Sequence, residues 1–116
     1  MSVYKTGLSG EEMALAYLTE QGCQCMERRF RAEDGEIDLI VRDGDYVVFV
    51  EVKYRPGSRA GQGMMAVTAA KQRRMAHAAL AFLAQREWMN VPVRFDVVEI
   101  TRDGLRHVPN AFQPGF

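Results

Sequence analysis

The sequence predicts a small α/β domain on a mixed β-sheet, with elements in the order α-β-β-β-α-β. Three observations predict it. A helix with both ends marked lies near the N-terminus. Two runs of β-branched and aliphatic residues are joined by the turn signal Asp43-Gly44. A long Ala-rich helical stretch is then followed by another strand-like run. At 116 residues the chain is expected to fold as one domain, 1–116, large enough for a core without disulfide or metal staples.

In "SGEEMALAYLTEQG" Ser9 is a good N-cap, Glu12 stands at N3 to complete a capping box, and Gly22 is the natural stop. Met13, Ala14, Tyr17 and Leu18 form the apolar stripe. "QCMERRF" reads as a short strand. Ile37, Leu39 and Val41 then alternate with Glu36, Asp38, Ile40 and Arg42 before the turn, and "YVVFVEV" follows, apolar on both faces and therefore central in the sheet. Residues 55–63, "RPGSRAGQG", read as a loop. The Ala-rich helix is expected from Thr68 to Met89, with Met75, Ala78, Ala79, Phe82 and Leu83 inside and Lys71, Arg73 and Arg74 making its first turns basic. "VRFDVVEIT" (93–101) is a further strand. Arg102-Asp103-Gly104 is a turn, and about 105–116 is expected to be irregular.

Fifteen basic and fifteen acidic side chains give zero formal charge, so a nucleic-acid partner would have to be held by a local patch. Cys23 and Cys25 have no second pair at zinc spacing and read as reduced thiols. With no apolar leader and no run of about 18 apolar residues, neither secretion nor a membrane span is expected, and the cytoplasm is the expected compartment.

The charges in the hairpin (35–54) carry the functional signal. Glu51 and Lys53 share one face of their strand, and Glu36 and Asp38 share one face of theirs. A turn at Asp43-Gly44 places Asp38 opposite Phe49, and a turn at Gly44-Asp45 places it opposite Glu51. In either register Asp38 and Glu51 lie on the same face, with Cβ atoms roughly 5 to 8 Å apart. Two carboxylates there need something positive between them, either Lys53 or a divalent cation such as Mg²⁺. A solvated ribbon face with a Lys–Glu pair is the bland alternative. Against it, the charges begin abruptly at the end of an apolar strand. Asp, Glu and Lys are also the set that phosphodiester hydrolysis uses: carboxylates to fix a metal that activates water, and a lysine to orient that water or neutralise charge.

The hairpin pattern resembles the PD-(D/E)xK nuclease superfamily, the restriction-endonuclease-like fold. The whole chain resembles the YraN-like family of small bacterial proteins related to archaeal Holliday-junction resolvases. The resemblance runs from about Gly7 to Ile100 through "GEEMALAYL", "GEIDLIVRDGDYVVFVEVKYR", "AVTAAKQRRMAHAALAFL" and "RFDVVEI". It implies that Asp38 and Glu51, with the Val52 backbone carbonyl, ligate Mg²⁺ or Mn²⁺, that Lys53 is the catalytic lysine, and that Glu11 completes the site directly or through water. It also implies DNA as substrate, branched or damaged, and a homodimer, since two scissile phosphates need two sites. Two positions depart from the pattern: Ile37 precedes Asp38 where the superfamily's name has Pro, and Arg29 stands where Asn is expected.

The remaining residues have two readings each. Glu11 is alternatively a helix-dipole carboxylate, and Glu36 is a minor ligand or, more simply, structural. Lys71, Arg73 and Arg74 form a solvated face or contact phosphate, with Lys71 and Arg74 assigned to nucleic acid. Arg55 and Arg59 fit a basic loop touching DNA. His77 and His107 read as ordinary, and Arg94 with Asp96 as an internal ion pair. The resulting expectation is a Mg²⁺-dependent endonuclease. The alternative is a module on a nuclease fold that binds nucleic acid or a protein without cleaving, and a third reading is an ion-paired structural domain with no site.

Overall fold

A computed structural model of the chain describes residues 9–60 and 67–114. The expected loop residues 61–63 and the start of the family resemblance at Gly7 lie outside the described residues. Helix α1 (Gly10–Glu20) begins at the expected capping box: the Glu12 N–H donates to Ser9 Oγ and the Ser9 N–H to Glu12 Oε1, both at 3.2 Å. Gly22, at φ +95°, takes the left-handed conformation that ends the helix.

Five strands follow in sheet order β1-β2-β3-β4-β5: β1 (Gln24–Ala32), β2 (Gly35–Asp43), β3 (Tyr46–Arg55), β4 (Val93–Thr101) and β5 (Gly104–Val108). Helix α2 (Ala69–Gln85) connects β3 to β4, the one parallel pair; the other neighbours are antiparallel. This is a mixed α/β architecture with a helix on each face of the sheet, in the order α-β-β-β-α-β-β, consistent with a restriction-endonuclease-like fold.

Three elements differ from expectation. Strand β1 runs two residues beyond Phe30, because pairing with β2 continues to Ala32↔Gly35 across the Glu33-Asp34 turn. Helix α2 stops at Gln85, short of Met89. Glu87 adopts φ +58° there, and the Trp88 N–H turns back to the Leu83 carbonyl at 3.0 Å. The C-terminal segment expected to be irregular contains β5, joined to β4 by the Arg102-Asp103 turn with Gly104 at φ +109°.

Two apolar layers sandwich the sheet. Met13 and Leu18 of α1 pack with Leu39, Val41, Val48, Val50, Val98 and Ile100. Met75, Ala79 and Phe82 of α2 pack with Ile40, Phe49 and Phe95 on the other face. Strand β3 supplies both layers, as its double-sided apolar pattern predicts. Burial pushes the Cys23 thiol up, so it stays protonated, while Cys25 is exposed; both are free.

Candidate active site

The β2–β3 hairpin turns at Gly44-Asp45, with Gly44 at φ +60°, and pairs Asp43 with Tyr46. This is the second of the two registers, the one that sets Asp38 opposite Glu51. The ladder runs as far as Leu39↔Val50. Just beyond it, the Val52 N–H donates to Asp38 Oδ2 at 2.8 Å, so a side chain continues the strand pairing. Alternation in β2 also breaks here: Ile37 packs with Ile40 on the α2 side, while Leu39 and Val41 face α1. The broken alternation leaves the Asp38 carboxyl at the end of the hairpin, out of either apolar layer.

Asp38 and Glu51 form one electrostatic unit. The Asp38 pKa is pushed up to about 7, first by burial and then by the Glu51 carboxyl, which can accept a hydrogen bond from its proton and repels its loss. The Val52 N–H and the Lys71 ammonium oppose that rise. Glu51 is 4% exposed. Its Oε2 is sealed from solvent without a formed hydrogen bond, although Lys71 Nζ approaches to 3.2 Å. At that separation the contact is an ion pair whose geometry satisfies charge better than it satisfies the oxygen's lone pairs.

Glu11 reaches the same place from the other side. A Cβ on Gly10 would lie 2.6 Å from Tyr54 Cβ, so only glycine lets the first turn of α1 sit this close to the end of β3. Glu11, Arg29, Asp38, Val52 and Tyr54 line one cavity of about 220 Å³. Within it Arg29 Nε donates to Glu11 Oε2 at 2.8 Å. Arg29 holds φ +52°, a backbone region that asparagine tolerates far better than arginine, so the expectation of Asn at this position fits the backbone observed there.

Lys53 is half-buried two residues beyond Glu51 and is paired in the β3–β4 ladder with the fully buried Glu99. Lys71 and Arg74 line a separate open cleft of about 490 Å³ with Arg31, Gly35 and Glu36. A Cβ at Gly35 would collide with the Arg74 carbonyl, so the β1–β2 turn abuts the start of α2. Glu36 pairs with Arg31 at 3.1 Å on the exposed rim. Arg55 closes β3 and Arg59 lies just past it, both exposed. That stretch is tied to the β4–β5 turn by the Ala60 N–H, which donates to Asp103 Oδ2 at 3.0 Å.

The structure therefore gathers Asp38, Glu51, Val52 and Glu11 around the ends of β2, β3 and α1, with Lys53 close by in sequence on β3. Arg55 and Arg59 do not line the cleft that holds Lys71 and Arg74. Among the described residues, no three His, Cys, Asp or Glu side chains converge as a metal-ligand group. The available donor set is the two mutually interacting carboxylates of Asp38 and Glu51 plus backbone oxygen. Contacts not anticipated from sequence include the Lys71–Glu51 ion pair and the Arg29–Glu11 pair. The expected Arg94–Asp96 pair is present, with Arg94 Nε 2.9 Å from Asp96 Oδ1. No helix of the described residues is long and apolar enough to cross a membrane.

The sequence matches other bacterial proteins along nearly its whole length. A UPF0102 protein of Symbiobacterium thermophilum is 47% identical over 113 residues, covering 93% of this chain and 96% of its own. One from Geobacter metallireducens is 43% identical over 111 residues, covering 92% and 91%. One from Stutzerimonas stutzeri is 42% identical over 113 residues, covering 93% and 94%. The model of one family spans residues 10–100, which hold α1, the hairpin, α2 and most of β4. The chain belongs to the uncharacterised protein family UPF0102.

Proposed function

We propose that this protein is a metal-dependent DNA endonuclease of the restriction-endonuclease-like kind, hydrolysing phosphodiester bonds. The observation that carries the reading is the Asp38–Glu51 pair on the same end of the hairpin: the Asp38 pKa is pushed up to about 7 by burial and by Glu51, and Glu51 holds a sealed oxygen without a hydrogen bond. Such a pair is costly to keep for stability alone, and strongly perturbed carboxyls in a cleft mark functional sites. The donor chemistry fits a hard cation, which takes one or two carboxylates and completes its shell with water and phosphate oxygens. Asp38 and Glu51 would hold Mg²⁺ or Mn²⁺ together with the Val52 carbonyl, and Glu11 would reach it through water while anchored by Arg29. The ion would supply polarisation of the phosphate and a lowered pKa for water.

The chain's own groups do the rest. Asp38 would release its proton to solvent on taking up its role as ligand. Lys53 orients the attacking water or neutralises charge developing on the phosphate. Arg55, Arg59, Lys71 and Arg74 offer backbone contacts to DNA from two sides. Branched or damaged DNA is the substrate class implied by the resemblance to junction resolvases, and a homodimer would present two sites to two strands.

A second reading, a module on the same fold that binds nucleic acid or a protein partner without cleaving, is favoured by the Lys71–Glu51 pair, which already balances one carboxylate. Calorimetric titration with Mg²⁺ and with Mn²⁺ tests the metal site before any substrate is known. Binding heat is expected from the wild type and none from Glu51→Gln. A silent wild type would contradict the proposal.

A further inference from the structure

We infer that Lys71 is a built-in counter-cation of this site: it holds Glu51 in the metal-free protein and leaves when a divalent cation takes its place. The inference rests on the metal-site reading above and adds how the site is kept closed to weak binders. Lys71 Nζ stands 3.2 Å from Glu51 Oε2, and that oxygen is sealed from solvent without a hydrogen bond. A buried carboxylate is expensive to keep ionised without a positive neighbour, and here the ammonium is that neighbour.

The position of Lys71 in its helix supports the assignment. Lys71 lies in the first turn of α2, with Thr68 as N-cap accepting from the Lys71 N–H at 3.2 Å. The macrodipole disfavours a cation there, and no acidic residue lies in that turn to compensate. Glu51, reached across from β3, is the partner that offsets this local cost. The side chain is 27% exposed and also lines the open cleft shared with Arg74 and the β1–β2 turn. It therefore has room to withdraw from Glu51 without repacking the core, and its flexible four-carbon stem suits the movement.

A cation bound at Glu51 must displace this ammonium or share the site with it, and like charges at that distance repel strongly. The test is calorimetric titration of Mn²⁺ into wild-type protein, Lys71→Met and Lys71→Arg. Lys71→Met is expected to bind about tenfold more tightly than wild type, because no ammonium competes. Lys71→Arg, which keeps the charge, is expected to stay near wild-type affinity. Equal affinity in wild type and Lys71→Met, or weaker binding in Lys71→Met, would overturn the role of Lys71 while leaving the metal site standing. Absence of heat from all three would remove the metal site, and the inference with it. Should metal-free Lys71→Met fail to fold, Mn²⁺ is expected to restore its folding by replacing the lost charge, and failure to restore it would equally overturn the inference.

Discussion

At the scale of single residues, Asp38 ties the proposed metal site to stability. Its carboxyl is harder to ionise in the folded chain than in the unfolded one, with burial the largest cause and Glu51 the next. Between the ordinary aspartate range and about pH 7 the folded state binds more protons than the unfolded state, so the contribution of this group to stability is lost as pH rises through that window. Asp38→Asn removes the repulsion and keeps an oxygen for the Val52 N–H. It is expected to raise the unfolding midpoint at pH 8, with a smaller gain at pH 5, while abolishing metal binding. Thermal melts at the two pH values check this, and a uniform loss of stability would contradict it. Arg29 shows the limit of reading at this scale. Its departure from the expected Asn is visible in the sequence, but its partner Glu11 and its left-handed backbone are apparent only once α1 is packed against β1. The Lys71–Glu51 contact was hidden for the same reason, since nothing local specifies which strand a helix start will face.

At the scale of elements, local rules predicted best where a segment carries its own punctuation. The capping box of α1, the glycine at its end and the Gly44 turn were legible because each is decided within a few residues. The end of α2 and the existence of β5 were not. Glu87 takes the place usually given to glycine, and β5 is a short edge strand whose sequence has little alternation. What holds β5 and the tail in place is Asp96, fully buried in β4. It accepts from His107 Nε2 at 2.7 Å, from Arg94 Nε at 2.9 Å and from the Asn110 N–H at 2.9 Å, and His107 Nδ1 lies 3.2 Å from the Tyr17 hydroxyl of α1. Burial alone would raise the Asp96 pKa, but these hydrogen bonds together outweigh it and hold the carboxyl below its ordinary value. Its stabilisation is therefore present above the ordinary aspartate range and lost as pH falls below it. Asp96→Asn takes one of two carboxylate partners from the partly buried Arg94, which keeps Asp43 at 3.1 Å, and gives His107 and the Asn110 N–H a weaker acceptor; it is expected to cost roughly 1.5 to 3 kcal/mol in denaturant unfolding. A cost under about 1 kcal/mol would mean the cluster contributes no more than a surface ion pair.

At the scale of the whole molecule, the residues assigned to chemistry collect at the carboxyl end of β3, where the sheet changes from antiparallel to parallel pairing and the chain leaves for α2. Open α/β sheets favour ligand sites outside strand carboxyl ends, because helix starts and loop backbones converge there. The Asp96 cluster pairs with Asp43 through Arg94 at the opposite end of the hairpin, so the site and the main polar clasp are separated along the sheet. With zero net charge, the DNA contact proposed for this chain would rest on local cations alone. The central claim is that this arrangement cleaves DNA. Its most direct test is incubation of a labelled four-way DNA junction and a linear duplex with purified wild-type protein, Glu51→Gln and Lys53→Ala, with Mg²⁺ or Mn²⁺ and with chelator. The account predicts metal-dependent strand cleavage by the wild type, none by either variant although both remain folded, and metal binding retained in Lys53→Ala but not in Glu51→Gln. Wild-type protein that binds metal and DNA without cutting either substrate, or Lys53→Ala that cuts at the wild-type rate, would contradict it.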